Sequence, residues 1–174
     1  MTAKTHATFH EEQQFRQIWV WLILIPGPLI VWYIAIQELV FNNTVGNSNA
    51  SNTMIFIFWV IFGILFPVFF YKLKLITEVR NNGLYIRYFP LHLTFKKIPI
   101  EKETKHYVRT YKPITEYGGW GIKWGPGGKT YNVSGKRGVQ LEFRSGKRLL
   151  IGSQKPEQLE SAIGQYLENH ENSG

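Results

Sequence analysis

Cysteine and aspartate are both missing from this 174-residue chain, whose 12 acidic residues are all glutamate. Without cysteine there are no disulfides, no thiolate zinc sites and no cysteine nucleophile, and the redox compartment is left open. Without aspartate, Asp-His-Ser triads, aspartyl-phosphate chemistry and Asp-dependent metal sites all fall away. An enzyme is thereby disfavoured. Charge is also scarce, at 18% of residues, and it avoids two long stretches completely.

Those stretches are apolar. Residues 18–36 read IWVWLILIPGPLIVWYIAI and residues 54–71 read MIFIFWVIFGILFPVFFY. At a helical rise of ~1.5 Å per residue, each is close to the roughly 30 Å of hydrocarbon in a bilayer. Both are therefore expected to be transmembrane helices, forming a hairpin over 18–71. A buried hairpin of a soluble protein, or a cleaved signal peptide for the first run, are the competing readings. Both runs exceed ordinary core-helix patterning, and no small-x-small cleavage site follows the first. Pro26-Gly27-Pro28 predicts a kink near Pro26 packed on the second helix, tolerated where neighbours satisfy the freed carbonyls. Glu38, at the outer end of the first run, is expected to reach outward to solvent.

Basic residues give an orientation. Lys4 and Arg16 precede the hairpin, Lys72, Lys74 and Arg80 follow it, and none lies between residues 17 and 71. The positive-inside rule then predicts a multi-pass protein of the cell membrane with both termini cytoplasmic: segment 1–17, the hairpin with its outside loop 41–53, a domain at 72–170, and a tail at 171–174. Two acceptor sequons begin at Asn42 and Asn49 in that loop.

From Lys72 the pattern changes to short alternating segments. Leu73 to Arg80 and Leu84 to Phe89 flank Asn81-Asn82-Gly83, a tight-hairpin signature. Further strands are predicted at 94–98, 105–111, 122–124 and 131–133, then a second hairpin, 139–143 and 148–151, through Ser145-Gly146-Lys147. A helix from Pro156 carries Leu159, Ala162, Ile163, Tyr166 and Leu167 on one stripe. KLKLITEVRNNGLYIRYF followed by FKKIPIEK, with residues 117–123, 131–139 and 149–153, resembles the pleckstrin-homology-like (PH-like) domains of small bacterial membrane proteins. The resemblance implies a split barrel of about seven antiparallel strands capped by a C-terminal helix, with no established catalytic residues. The phosphoinositide signature of eukaryotic PH domains is not matched, since Arg87 is followed by Tyr88 and Phe89.

Charge concentrates in this domain. Residues 72–156 hold 18 Lys and Arg against 5 Glu, a balance of +13, whereas residues 157–174 carry −4 and residues 1–71 carry −1. Lys72, Lys74, Arg80 and Arg87 are the expected contacts with an anionic leaflet, where each basic residue gains up to ~1 kcal/mol. The competing reading is that they serve only orientation and solubility. Residues 113–138 combine glycines with aromatics and cations. Tyr117, Trp120, Lys123, Trp124, Lys129, Lys136 and Arg137 are the expected surface for a protein partner or a second copy; alternatively the glycines are turns and bulges, with Trp120 packed inside.

Sharper motifs fail. Gly127-Gly128-Lys129-Thr130 ends like a phosphate-binding loop, but Lys123 stands where its first glycine belongs and a strand follows. His6 and His10 fit a frayed polar N-terminus better than a metal site, His92 and His106 lack partners, and Ser153 lacks a nucleophile elbow. The expected function is a non-enzymatic, membrane-anchored interaction module that needs no cofactor or metal and binds no nucleic acid, the alternative being a sensor of anionic lipid headgroups.

Overall fold

A computed structural model describes residues 7–43, 45 and 51–171, which form two compact units. His6, the Asn49 of the second sequon, Thr44 of the first and the tail from 172 lie outside the described residues.

One unit, residues 15–73, is helical. Helix α1 (Ile18–Leu24) passes through Ile25 into α2 (Pro26–Leu39), so the break predicted near Pro26 falls one residue earlier. The return path is α3 (Asn52–Phe58), a π-helical segment at Trp59–Leu65, and α4 (Phe66–Lys72). Together they give 22- and 21-residue helices long and apolar enough to cross a membrane. Their surfaces are apolar as well, with Ile18, Leu22, Ile23, Leu29, Ile30, Ile57 and Phe62 exposed. Pro67 has no N–H to return to the carbonyl four residues back, that of Gly63. The Trp32 indole of α2 donates to that carbonyl at 3.1 Å and stands edge-on to Trp59, ring centroids 5.0 Å apart. A neighbouring helix thus satisfies what the proline leaves open. Glu38 corrects the expectation made for it. It is 7% exposed and its carboxylate accepts the Val45 amide at 3.1 Å.

The other unit is built of strands and one long helix. Residues 7–14, expected as a frayed polar segment, form strand β1 (Ala7–Gln14), which pairs antiparallel with β2 (Lys74–Arg80). With β3 (Gly83–Phe89) and β4 (Lys96–Ile98) they make a four-stranded sheet in the order β1-β2-β3-β4. Gln14 is the register partner of Lys74, so the helical segment leaves and rejoins the sheet at adjacent positions. Strands β5 (Lys105–Thr110), β6 (Gly121–Gly125), β7 (Gly128–Asn132), β8 (Arg137–Glu142) and β9 (Arg148–Gly152) form a second sheet, ordered β5-β8-β9-β7-β6. A short helix α5 (Pro113–Tyr117) precedes β6, and α6 (Pro156–Glu171) ends the unit.

The architecture departs from the split barrel that the resemblance implies. Among the described residues the strands form two sheets of four and five and close no barrel, and β7 pairs with β9 in parallel. The parallel pair arises because the β8–β9 hairpin is inserted between β5 and β7. Burial follows strand alternation in the first sheet, where Leu75, Thr77 and Val79 of β2 and Leu84, Ile86 and Tyr88 of β3 face inward. Central β8 and β9 are buried on both faces, as Val139, Gln140, Leu141, Leu149, Leu150 and Ile151 show. Leu159, Ala162 and Ile163 are the buried stripe of α6, while Tyr166 and Leu167 of the predicted stripe stay partly exposed.

Strand β1 is held by polar contacts. Glu11, 6% exposed, accepts the Ser153 hydroxyl at 2.6 Å and the Gln154 amide at 2.7 Å, and Ser153 Oγ in turn accepts the Lys155 amide at 2.9 Å. Gln13 donates to the Gly152 carbonyl at 2.8 Å. The Glu11 carboxylate thus sits at the N-terminal end of α6, where a helix dipole favours negative charge. Ser153, set aside as a nucleophile, is a link in this latch.

Candidate functional site

The residues expected to form one partner surface are divided by the β6–β7 hairpin. Trp124 is the register partner of Lys129 at the turn end, and Gly121 is the partner of Asn132 at the other. With strand residues ~3.3 Å apart, the two ends are roughly 10 Å from each other. At the far end, the Trp120 indole donates to the Gly135 carbonyl at 3.1 Å, exposed Lys136 adjoins it in sequence, and Arg137 pairs with Glu157 of α6. Tyr117 is buried, its ring edge-on to Tyr111 with centroids 5.9 Å apart. Lys123 is exposed on edge strand β6. Much of the glycine content is structural: a β-carbon on Gly125 would strike the Glu116 carbonyl, and one on Gly127 the Tyr117 hydroxyl.

At the turn end a cavity of about 850 Å³ opens between β4, the β6–β7 turn and the β8–β9 turn. Its size lies within the ~300–1,000 Å³ of small-molecule sites. Five cations line it, Lys96, Lys129, Arg144, Lys147 and Arg148. Glu101 is the single carboxylate in that lining among the described residues. Arg144 and Arg148 have distant acidic partners, Glu103 at 3.6 Å and Glu142 at 3.7 Å. No carboxylate lies within ion-pair distance of Lys96, Lys129 or Lys147 among the described residues.

Aromatic groups sit at the same place. Trp124 is 74% exposed, and the Lys129 ammonium lies 5.4 Å from its ring centroid and 4.9 Å from that of Tyr131. Tyr131 is 1% exposed, lines the cavity, and its buried hydroxyl has no hydrogen-bond partner among the described residues. The His92 ring lies 6.0 Å from it. Burial pushes His92 below the ordinary imidazole range, and the charges of Lys96 and Lys129 push it further the same way.

The predicted leaflet contacts are mostly engaged inside the protein. Lys74 donates to Glu12 at 2.8 Å, Arg80 pairs with Glu78 and lies over Tyr85 and Phe95, and the Arg87 guanidinium stacks on Phe95 at 4.6 Å. Lys72 is exposed at the end of α4. The histidines are dispersed too: His10 lies 3.1 Å from Glu78, and His106 lies 3.5 Å from Glu160.

The family model for a family of unknown function, DUF6141, matches residues 2–168. The chain belongs to this family. No curated protein and no solved structure matches it. The DUF6141 match takes in both the helical segment and the β-rich unit, so it describes their combination in one chain. It carries no activity with it. Sequence reasoning picked out Trp124 and Lys129 of this DUF6141 chain but missed Lys96, Arg144, Lys147 and Arg148. These come from β4 and the β8–β9 turn, and no local motif joins them to residues 124–131.

Proposed function

We propose that the protein is a membrane-anchored, non-enzymatic binding module whose helical segment crosses the bilayer twice and whose β-rich unit works at one membrane face, the cytoplasmic one. The carrying observation is the β1–β2 ladder. It pairs the strand before the helical segment with the strand after it, and partners in one ladder cannot lie on opposite sides of a bilayer. The broad exposed apolar surface of both helices supports the crossing, since a soluble core hairpin would bury it. Arg16, Lys72 and Lys74 at the junctions support the cytoplasmic side.

Recognition is assigned to the cavity end of the β6–β7 hairpin, where cationic, aromatic and unpaired polar groups converge. The seven-residue surface expected to meet a protein partner or a second copy is a weaker reading, because Tyr117 is buried and Trp120 and Arg137 have intramolecular partners. A PH-like ancestry stays with the sequence resemblance. Membrane anchoring is tested by replacing one lipid-facing side chain near the middle of each helix, Ile30→Arg with Phe62→Arg. Arginine at the bilayer centre costs about 2.5 to 3.5 kcal/mol each on insertion scales. Wild type is expected to stay in the pellet after carbonate washing and the double variant to be lost from it. Wild type recovered in the wash would sink the reading.

A further inference from the structure

We infer that the cavity between β4, the β6–β7 turn and the β8–β9 turn is a binding site for a phosphate-bearing ligand, held by Lys96, Lys129 and Lys147. Two observations converge on this chemistry. Five cations against one carboxylate give an excess suited to a group of charge −1 to −2. The three lysines have no carboxylate within ion-pair distance among the described residues, so a ligand would supply the countercharge that the fold does not. Lysine is a common phosphate binder acting as a point charge.

The second observation is independent of charge. The exposed indole of Trp124 at the rim gives the organic body carrying the phosphate an apolar face to rest on. Cationic floor and aromatic rim together suit a phosphate ester, from a lipid headgroup or a soluble metabolite.

The inference rests on the reading of the β-rich unit as a binding module, but not on the membrane crossing. Calorimetric titration of the full chain in uncharged detergent at low salt tests it with two probes, pyrophosphate and dihexanoyl phosphatidylglycerol. Dihexanoyl phosphatidylcholine serves as the zwitterionic control. At least one probe is expected to bind saturably, and binding to weaken about tenfold in Lys129→Gln and severalfold in Lys96→Gln. Lys136→Gln, at the far end of the hairpin, is expected to bind as wild type. Pyrophosphate alone binding identifies a soluble phosphate ligand, the phosphatidylglycerol alone a lipid headgroup, and both a shared phosphate subsite. Near-ultraviolet circular dichroism establishes that each variant is folded, and Lys147→Gln replaces any that is not. Neither probe binding, equal binding of the control lipid, or unchanged affinity in the folded variants overturns the inference. A failure here leaves the carbonate-wash result standing, so the two readings fail separately.

Discussion

Glu11→Ala is expected to destabilise the β-rich unit by about 3 to 5 kcal/mol. The substitution strips acceptors from two donors, the Ser153 hydroxyl and the Gln154 amide, in a buried or part-buried setting. Each buried polar group left unpaired costs about 1 to 3 kcal/mol, and hydrogen bonds to a charged acceptor are the stronger kind. The loss also removes negative charge from the N-terminal end of α6. Glu11→Gln keeps one acceptor oxygen and the side-chain shape, so it should cost roughly half as much. The midpoint of urea unfolding in detergent, followed through near-ultraviolet circular dichroism, reads both. An alanine variant as stable as wild type would mean that β1 is not latched to the start of α6. Glu12→Ala is the internal comparison. Its partner Lys74 lies near the surface, where such pairs are worth about 0 to 1 kcal/mol, so its effect should be small.

Gly128→Val should be more damaging still, costing at least about 4 kcal/mol or preventing folding. Gly128 has φ of +86°, a region unfavourable to a β-branched side chain. Its missing β-carbon is also where the Arg148 carbonyl oxygen of β9 approaches. Strain and collision add, and the collision is with backbone that carries the parallel β7–β9 pairing. Gly146 separates the two effects. It too has positive φ, +77°, in the β8–β9 turn, but nothing lies within 4 Å of a β-carbon built there. Gly146→Ala should therefore cost only about 1 kcal/mol. Soluble yield and thermal unfolding of the two variants provide the check; equal effects would contradict the crowding at Gly128.

Local signals account for what the sequence revealed and for what it concealed. The β2–β3 and β8–β9 hairpins carry alternation on both sides of glycine turns, and α6 starts at proline with an apolar stripe, so each could be read within a dozen residues. Strand β1 was hidden because its inward row is Phe9, Glu11 and Gln13, and two of those three are polar. Their partners lie about 140 residues away, at Gly152 to Gln154, where no window could connect them. Helix α5 did leave a signal, with Pro113 at its start and a left-handed Gly118 after its end. The dense glycine spacing around it drew the reading toward a loop. The parallel β7–β9 pairing was concealed because it depends on an inserted hairpin and not on local alternation.

At the site, composition drew attention to residues 113–138 but could not say which side chains face one another. Tyr117 and Trp120 turned toward the fold, whereas Trp124 and Lys129 turned toward a cavity completed by Lys96 and Lys147. A similar distinction applies to the basic balance of residues 72–156. Lys74, Arg80 and Arg87 are largely spent within the first sheet, whereas Lys96 of β4 joins Lys129 and Lys147 of the second sheet's hairpins around the cavity. Counting charges located the unit. Pairing decided the surface.

In the proposed topology both flanks of the helical segment lie on one side of a membrane and the connecting loop on the other. Since the chain has no cysteine, single cysteines report without background. Ala7→Cys on β1, Ser161→Cys on α6 and Asn43→Cys in the loop all stand at exposed positions. A membrane-impermeant maleimide applied to intact cells should label position 43, and should label positions 7 and 161 only after permeabilisation. Labelling that divides 7 from 161, or that places 43 with them, would contradict the account.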